Sequence, residues 1–171
     1  MTKLLLKKIT ASILLLSSAM TTFEISANDK PDFEQEIMIS ADRQAGDLKN
    51  KIASYIGDVV IQQGTLTIKA DSVKIYQAKV DEEVYVAKGN PARFEQTLAD
   101  GSKISLQADE ITYEPAIHSL VISGNALLQQ AGSEVKGSQI TYNTLTEKLD
   151  AIGNQNEKTS TVLQPQKKVT P

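Results

Sequence analysis

The sequence predicts an all-β protein built from repeated antiparallel bent hairpins, stacked one unit on the next. Two observations carry that prediction: a repeated pattern of short segments and a two-residue hydrophobic period. The related openings are Ile39-Ser40-Ala41-Asp42, Ile68-Lys69-Ala70-Asp71, Leu106-Gln107-Ala108-Asp109 and Val135-Lys136-Gly137-Ser138. Each is followed by a Gly-Asp or Gly-Asn pair, at Gly57-Asp58, Gly89-Asn90, Gly124-Asn125 and Gly153-Asn154. Self-similarity of this kind marks units that cannot bury a face alone and must stack. Within the units Leu66, Ile68 and Ala70 alternate with Thr67 and Lys69, which is strand periodicity. No convincing helical stripe interrupts it, apart from a turn expected before Ile37.

Taken in chain order, residues 1–27 read as a secretory leader. Lys3, Lys7 and Lys8 precede a largely apolar run from Ile9 to Met20, and Ile25-Ser26-Ala27 resembles a cleavage site. The expected mature chain begins at Asn28. Removing Lys3, Lys7, Lys8 and Glu24 leaves 15 basic and 20 acidic residues, a net charge of −5. Residues 28–154 hold the repeats. After Ala70 the apolar parity moves to Val73 and Ile75, after Ala108 to Ile111 and Tyr113, and after Gly137 to Ile140 and Tyr142. A parity change at one place in every unit requires a bulge or corner there. The repeated aspartate is expected at the corner, accepting local backbone N–H groups. Asp100-Gly101 marks a hairpin turn between apolar runs, so the longer spacing from Asp71 to Asp109 reflects a longer hairpin arm. Residues 155–171 are rich in Gln, Lys, Thr and Pro and read as a polar, disordered tail, with a short pairing allowed at Val162-Leu163.

Composition narrows the chemistry. The full chain carries 18 Lys+Arg against 21 Asp+Glu, the wrong sign for a general nucleic-acid binder. With no cysteine there is no disulfide and no thiolate site, and with His118 as the single histidine there is no multi-histidine metal cage. His118 reads as a surface residue in the polar connection Glu114–Ser119, and Glu82-Glu83 as a solvated loop. Asp42, Asp71 and Asp109 could line one face as acid–base carboxylates of a polysaccharide-acting solenoid. The favoured reading is that they share a corner for a common backbone reason, because catalytic residues need not repeat whereas structural ones must. The alternating apolar side chains fit a dry core between two sheets or a face suited to aliphatic chains. A structural adaptor that joins envelope proteins without lipid also fits. An open stack leaves an unpaired strand at each end, which favours head-to-tail pairing with another copy or a similar partner.

The segments Gly57-Asp58-Val59-Val60-Ile61-Gln62-Gln63-Gly64, Leu66-Thr67-Ile68-Lys69-Ala70-Asp71 and Gly124-Asn125-Ala126-Leu127-Leu128-Gln129-Gln130, with Ile39–Asp42, resemble the OstA-like family of lipopolysaccharide-export proteins. The resemblance spans residues 35–154. It implies an open V-shaped β-jellyroll in the periplasm, with a hydrophobic groove between its sheets. It further implies lipopolysaccharide as ligand, held by its lipid A acyl chains. Implied partners are the inner-membrane protein LptC, the N-terminal domain of the outer-membrane protein LptD, and further copies of the chain, head to tail. No cofactor, metal or catalytic residue is implied. Parity and resemblance together nominate Ile37, Ile39, Tyr55, Val59, Ile61, Ile68, Phe94, Tyr113 and Leu128 as lining the groove.

Overall fold

A computed structural model describes residues 30–79 and 82–164. The expected leader, residues 1–27, and the last seven residues of the tail lie outside that range. A 3-10 turn (Asp32–Glu34) opens the described chain, at the turn expected before Ile37. Ten antiparallel strands follow: β1 (Ile37–Ser40), β2 (Arg43–Asp47), β3 (Ile52–Gln63), β4 (Leu66–Lys79), β5 (Glu82–Thr97), β6 (Lys103–Glu114), β7 (Ser119–Gln130), β8 (Ser133–Asn143), β9 (Leu149–Ile152) and β10 (Ser160–Val162). They pair in the order β1-β3-β4-β5-β6-β7-β8-β10, with β2 also on β3 and β9 also on β8. The sheet does not close on itself. It is an open β-jellyroll.

The corners fall where the parity changes require them. Pairing shifts register between Ile56 and Val59, Lys69 and Ser72, Lys88 and Ala92, Gln107 and Glu110, and Ser123 and Ala126. These bulges form one line across the sheet and divide it into two limbs. The first limb contains residues 59–69, 92–107 and 126–137; the second contains 52–56, 72–88, 110–123 and 139–143. A bulge leaves residues unpaired and turns the strand, so every long strand bends at the same level. At each edge of the sheet two short strands share the limbs: β1 and β10 flank the first, β2 and β9 the second.

Two glycines make the corner possible. Gly57 and Gly124 lie at φ +84° and +75°, a region that side chains disfavour. A Cβ on Gly57 would overlap the Asp42 carboxylate, and one on Gly124 would overlap that of Asp109. The aspartates thus fold over the facing glycine instead of capping their own backbone. Asp109 accepts a hydrogen bond from the Asn125 side chain at 3.0 Å, while the backbone N–H of Asp42 donates to the Gly57 carbonyl at 3.0 Å.

Two further expectations change. Glu82 and Glu83 open β5 instead of forming a loop; Lys79 pairs with Glu82 at 3.1 Å and the Tyr85 hydroxyl donates to Glu83 at 2.6 Å. His118 adopts a left-handed conformation after a 3-10 turn (Pro115–Ile117), and its ring packs edge-on against Phe33 at 4.9 Å. It is a half-buried contact, not a free surface group. The short pairing allowed in the tail at Val162-Leu163 falls at Ser160–Val162, which pair with Lys136–Glu134 of β8. All three residues of β10 are exposed.

Candidate functional site

The interior lies between the limbs and is aliphatic by construction. Alternation points Val59, Ile61, Ile68, Phe94, Leu106 and Leu128 inward from the first limb. Val73, Tyr85, Ile111, Tyr113, Ile122, Ile140 and Tyr142 face them from the second. The nine nominated residues all fall on this face. Six are buried: Val59, Ile61, Ile68, Phe94, Tyr113 and Leu128. Ile37, Ile39 and Tyr55 are half-buried at the β1–β2 edge and pack against the same cluster. In this state the centre is filled by its own side chains. Ile61, Ile68 and Phe94 have no exposed surface.

Space opens at the ends instead. A cleft of about 400 Å³ lies at the β8 edge, lined by Leu98, Ile104, Leu128, Val135, Tyr142 and Leu149 among others. A second, of about 320 Å³, lies at the mouth opposite the corner line, where Tyr113, Gln96 and Leu98 meet the segment Lys30–Gln35. Of the nominated residues only Leu128 and Tyr113 line these spaces. Leu98, Ile104 and Leu149 escaped nomination because they lie outside the repeated segments, near hairpin ends, whereas Val135 opens the fourth repeat in the position that Ile39 and Ile68 hold in theirs and could have been nominated on that ground. Apolar residues flanking the turns were the signal that could have found the other three.

The limbs are tied across the interior at a few polar points. The Tyr113 hydroxyl donates to the Gln63 side-chain carbonyl at 2.9 Å. The Tyr142 hydroxyl reaches that of Gln96 at 3.5 Å, and Tyr142 packs edge-on against Phe94 at 6.2 Å between ring centres. Gln63 and Gln96 are the buried polar residues of the described core, and each has a partner. Burial, with Asp32 nearby, pushes the Tyr113 hydroxyl up to about 12. Burial, with Glu147 nearby, does the same for Tyr142, also to about 12. Both stay neutral donors.

The repeated aspartates do not gather into a site. Asp42, Asp71 and Asp109 are exposed along the outside of the corner line, away from the interior. No cluster of three or more potential metal ligands occurs among the described residues. No helix among them is long and apolar enough to cross a membrane.

The structure defines a class of open β-jellyrolls with an aliphatic interior and both edges unclosed, and comparison with known proteins gives the class its family. Residues 38–148 match the family model described as LptA/(LptD N-terminal domain) LPS transport protein. The lipopolysaccharide export system protein LptA of Escherichia coli K12 is 34% identical over 165 residues, covering 95% of this chain and 86% of that protein. LptA of Haemophilus influenzae is 31% identical over 163 residues, 94% of this chain and 95% of that one. The crystal structure of LptH, described as the LptA homologue of the Pseudomonas aeruginosa lipopolysaccharide transport device, superimposes with a TM-score of 0.72 at 29% identity. It covers 78% of this chain and 99% of that one. The chain belongs to the LptA/LptD N-terminal domain family of lipopolysaccharide transport proteins.

Proposed function

We propose that this protein carries lipopolysaccharide through the periplasm, with the lipid A acyl chains between the limbs and the phosphorylated sugars in water. The observation that supports this reading is the interior itself, two facing aliphatic surfaces joined along a corner line and open at both edges. Each methylene buried is worth about 0.8 kcal/mol, so an acyl chain is held without a polar contact. Because the centre is filled in this state, a chain enters only as the limbs part. Parting them exposes the apolar surface that the lipid then covers, and breaks the two tyrosine–glutamine contacts. Binding on this account is an exchange of side-chain packing for acyl packing.

Ile37, Ile39, Tyr55, Val59, Ile61, Ile68, Phe94, Tyr113 and Leu128 would line the track. Its donor would be LptC and its acceptor the N-terminal domain of LptD. Copies would join head to tail through the β1–β2 and β9–β10 edges, so that one interior continues into the next. The protein would act without catalysis, the energy for transport coming from its inner-membrane partner. With a charge of −5 on the expected mature chain, attraction to phosphates contributes little, and binding should be insensitive to salt.

The test is Ile39→Glu. Ile39 sits half-exposed at the edge, so a carboxylate there is tolerated by the fold but repels an acyl chain. The variant should keep its β-sheet circular dichroism and lose co-purifying lipopolysaccharide at least tenfold. Undiminished lipopolysaccharide on folded Ile39→Glu would remove the edge residues from the track. Absence of lipid from the wild type as well would favour the adaptor.

A further inference from the structure

We propose that residues 30–35 form a strap across the mouth of the jellyroll, latched by Asp32, which must swing aside before an acyl chain can enter sideways. The proposal rests on the lipid-carrier reading and adds how the interior is opened. Asp32 accepts hydrogen bonds from the Thr65 backbone N–H at 2.8 Å, the Thr65 hydroxyl at 2.7 Å and the Gln96 side-chain amide at 3.2 Å. All three donors belong to the tips of the first limb. Next along the chain, Phe33 packs edge-on against His118, at the tip of the second limb. The same short segment therefore touches both lips of the opening. Its far end is fixed where the Gln35 carbonyl accepts the Gln63 side-chain amide at 3.1 Å, and Gln63 is the residue that receives the Tyr113 hydroxyl from across the interior. The strap and the cross-limb tie are one network.

The strap is built to leave. The 3-10 turn has no buried residue, and Phe33 remains 37% exposed. What holds it is a handful of polar contacts rather than core packing, and segments of that kind open at a small fraction of the global unfolding free energy. Behind it the mouth cleft of about 320 Å³ is already present, between Asp32, Phe33, Leu98, Tyr113, Leu145 and Glu147. If the leader is removed after Ala27, the strap lies close to the new N-terminus and joins the rest of the chain covalently only on its Gln35 side. Swinging it out would release Gln63 from one partner and expose Tyr113, the first aliphatic-facing residue behind the mouth.

Because the chain has no cysteine, the strap can be fastened selectively. In the double variant Phe33→Cys/His118→Cys, joined by a short reducible bismaleimide, uptake of purified lipopolysaccharide should be at least tenfold slower than in the same sample after reduction. Asp32→Ala, which removes the latch and keeps every apolar core side chain although it takes one partner from Gln96, should take it up several-fold faster than wild type. Thr65 amide exchange supplies a readout that needs no lipid: protected in wild type, fast in Asp32→Ala. Equal uptake by the linked and reduced forms, or equal uptake by Asp32→Ala and wild type, would overturn the strap while leaving the carrier reading standing. So would a Thr65 amide that exchanges as fast in wild type as in the variant. Lipopolysaccharide uptake by none of these proteins would overturn the carrier reading, and the strap's role with it.

Discussion

Single side chains set the shape of this protein through what they exclude. Gly57→Ala and Gly124→Ala each place a methyl against an aspartate carboxylate, at a φ that alanine adopts only with strain. Each should destabilise by roughly 1–3 kcal/mol, read as a lower urea midpoint with an unchanged slope. Phe94→Ala empties a position with no exposed surface and should cost about 3–5 kcal/mol, checked by the same titration. The tyrosines add a dependence on pH. Tyr113 and Tyr142 ionise near 12 in the folded protein against an ordinary value near 10, so the fold retains protons that the unfolded chain has lost. Their contribution is complete below pH 10 and disappears as pH rises from 10 to 12. Thermal melts should fall across that window, and less steeply in Tyr113→Phe.

Among the elements, the bent strand was legible and the ends were not. Parity changes after Ala70, Ala108 and Gly137 located the corners because a half-buried strand has no other way to keep apolar residues inward on both sides of a bulge. The hairpin at Asp100-Gly101 was legible for a similarly local reason: Gly101 takes φ +80° and the Asp100 carboxylate accepts the Ser102 N–H at 2.8 Å. The aspartate's partner was not legible, since it sits across the sheet on another strand. β10 was legible only as a short pairing allowed at Val162-Leu163; its three residues carry no alternating pattern, and the β8 edge sets where they pair. That weak attachment has a consequence. Deleting residues 160–171 should lower stability by no more than about 1 kcal/mol, since exposed positions contribute little, and leave the circular dichroism unchanged. A large loss of stability would show that β10 holds the edge more firmly than its exposure implies.

In the whole molecule, a single feature connects shape to transport: two limbs that share a corner but not a closed barrel. All nine residues nominated from parity and resemblance lie on the inner face, which the two-residue period alone could place. The period could not say whether that face is open or filled, because alternation reports direction and not distance between limbs. Nor could it show the mouth, where Asp32, Thr65, Gln96 and Phe33 converge from distant parts of the chain. In the proposed transport step, lipid replaces side chains between the limbs. It is tested most directly by photo-crosslinking residues at Ile39 and Leu128, with Lys69 on the outer surface as control, in protein made by a lipopolysaccharide-producing cell. Lipopolysaccharide adducts are expected at the two inner positions and none at Lys69. Adducts equally frequent at all three, or absent from the inner pair in protein that remains folded, would contradict it.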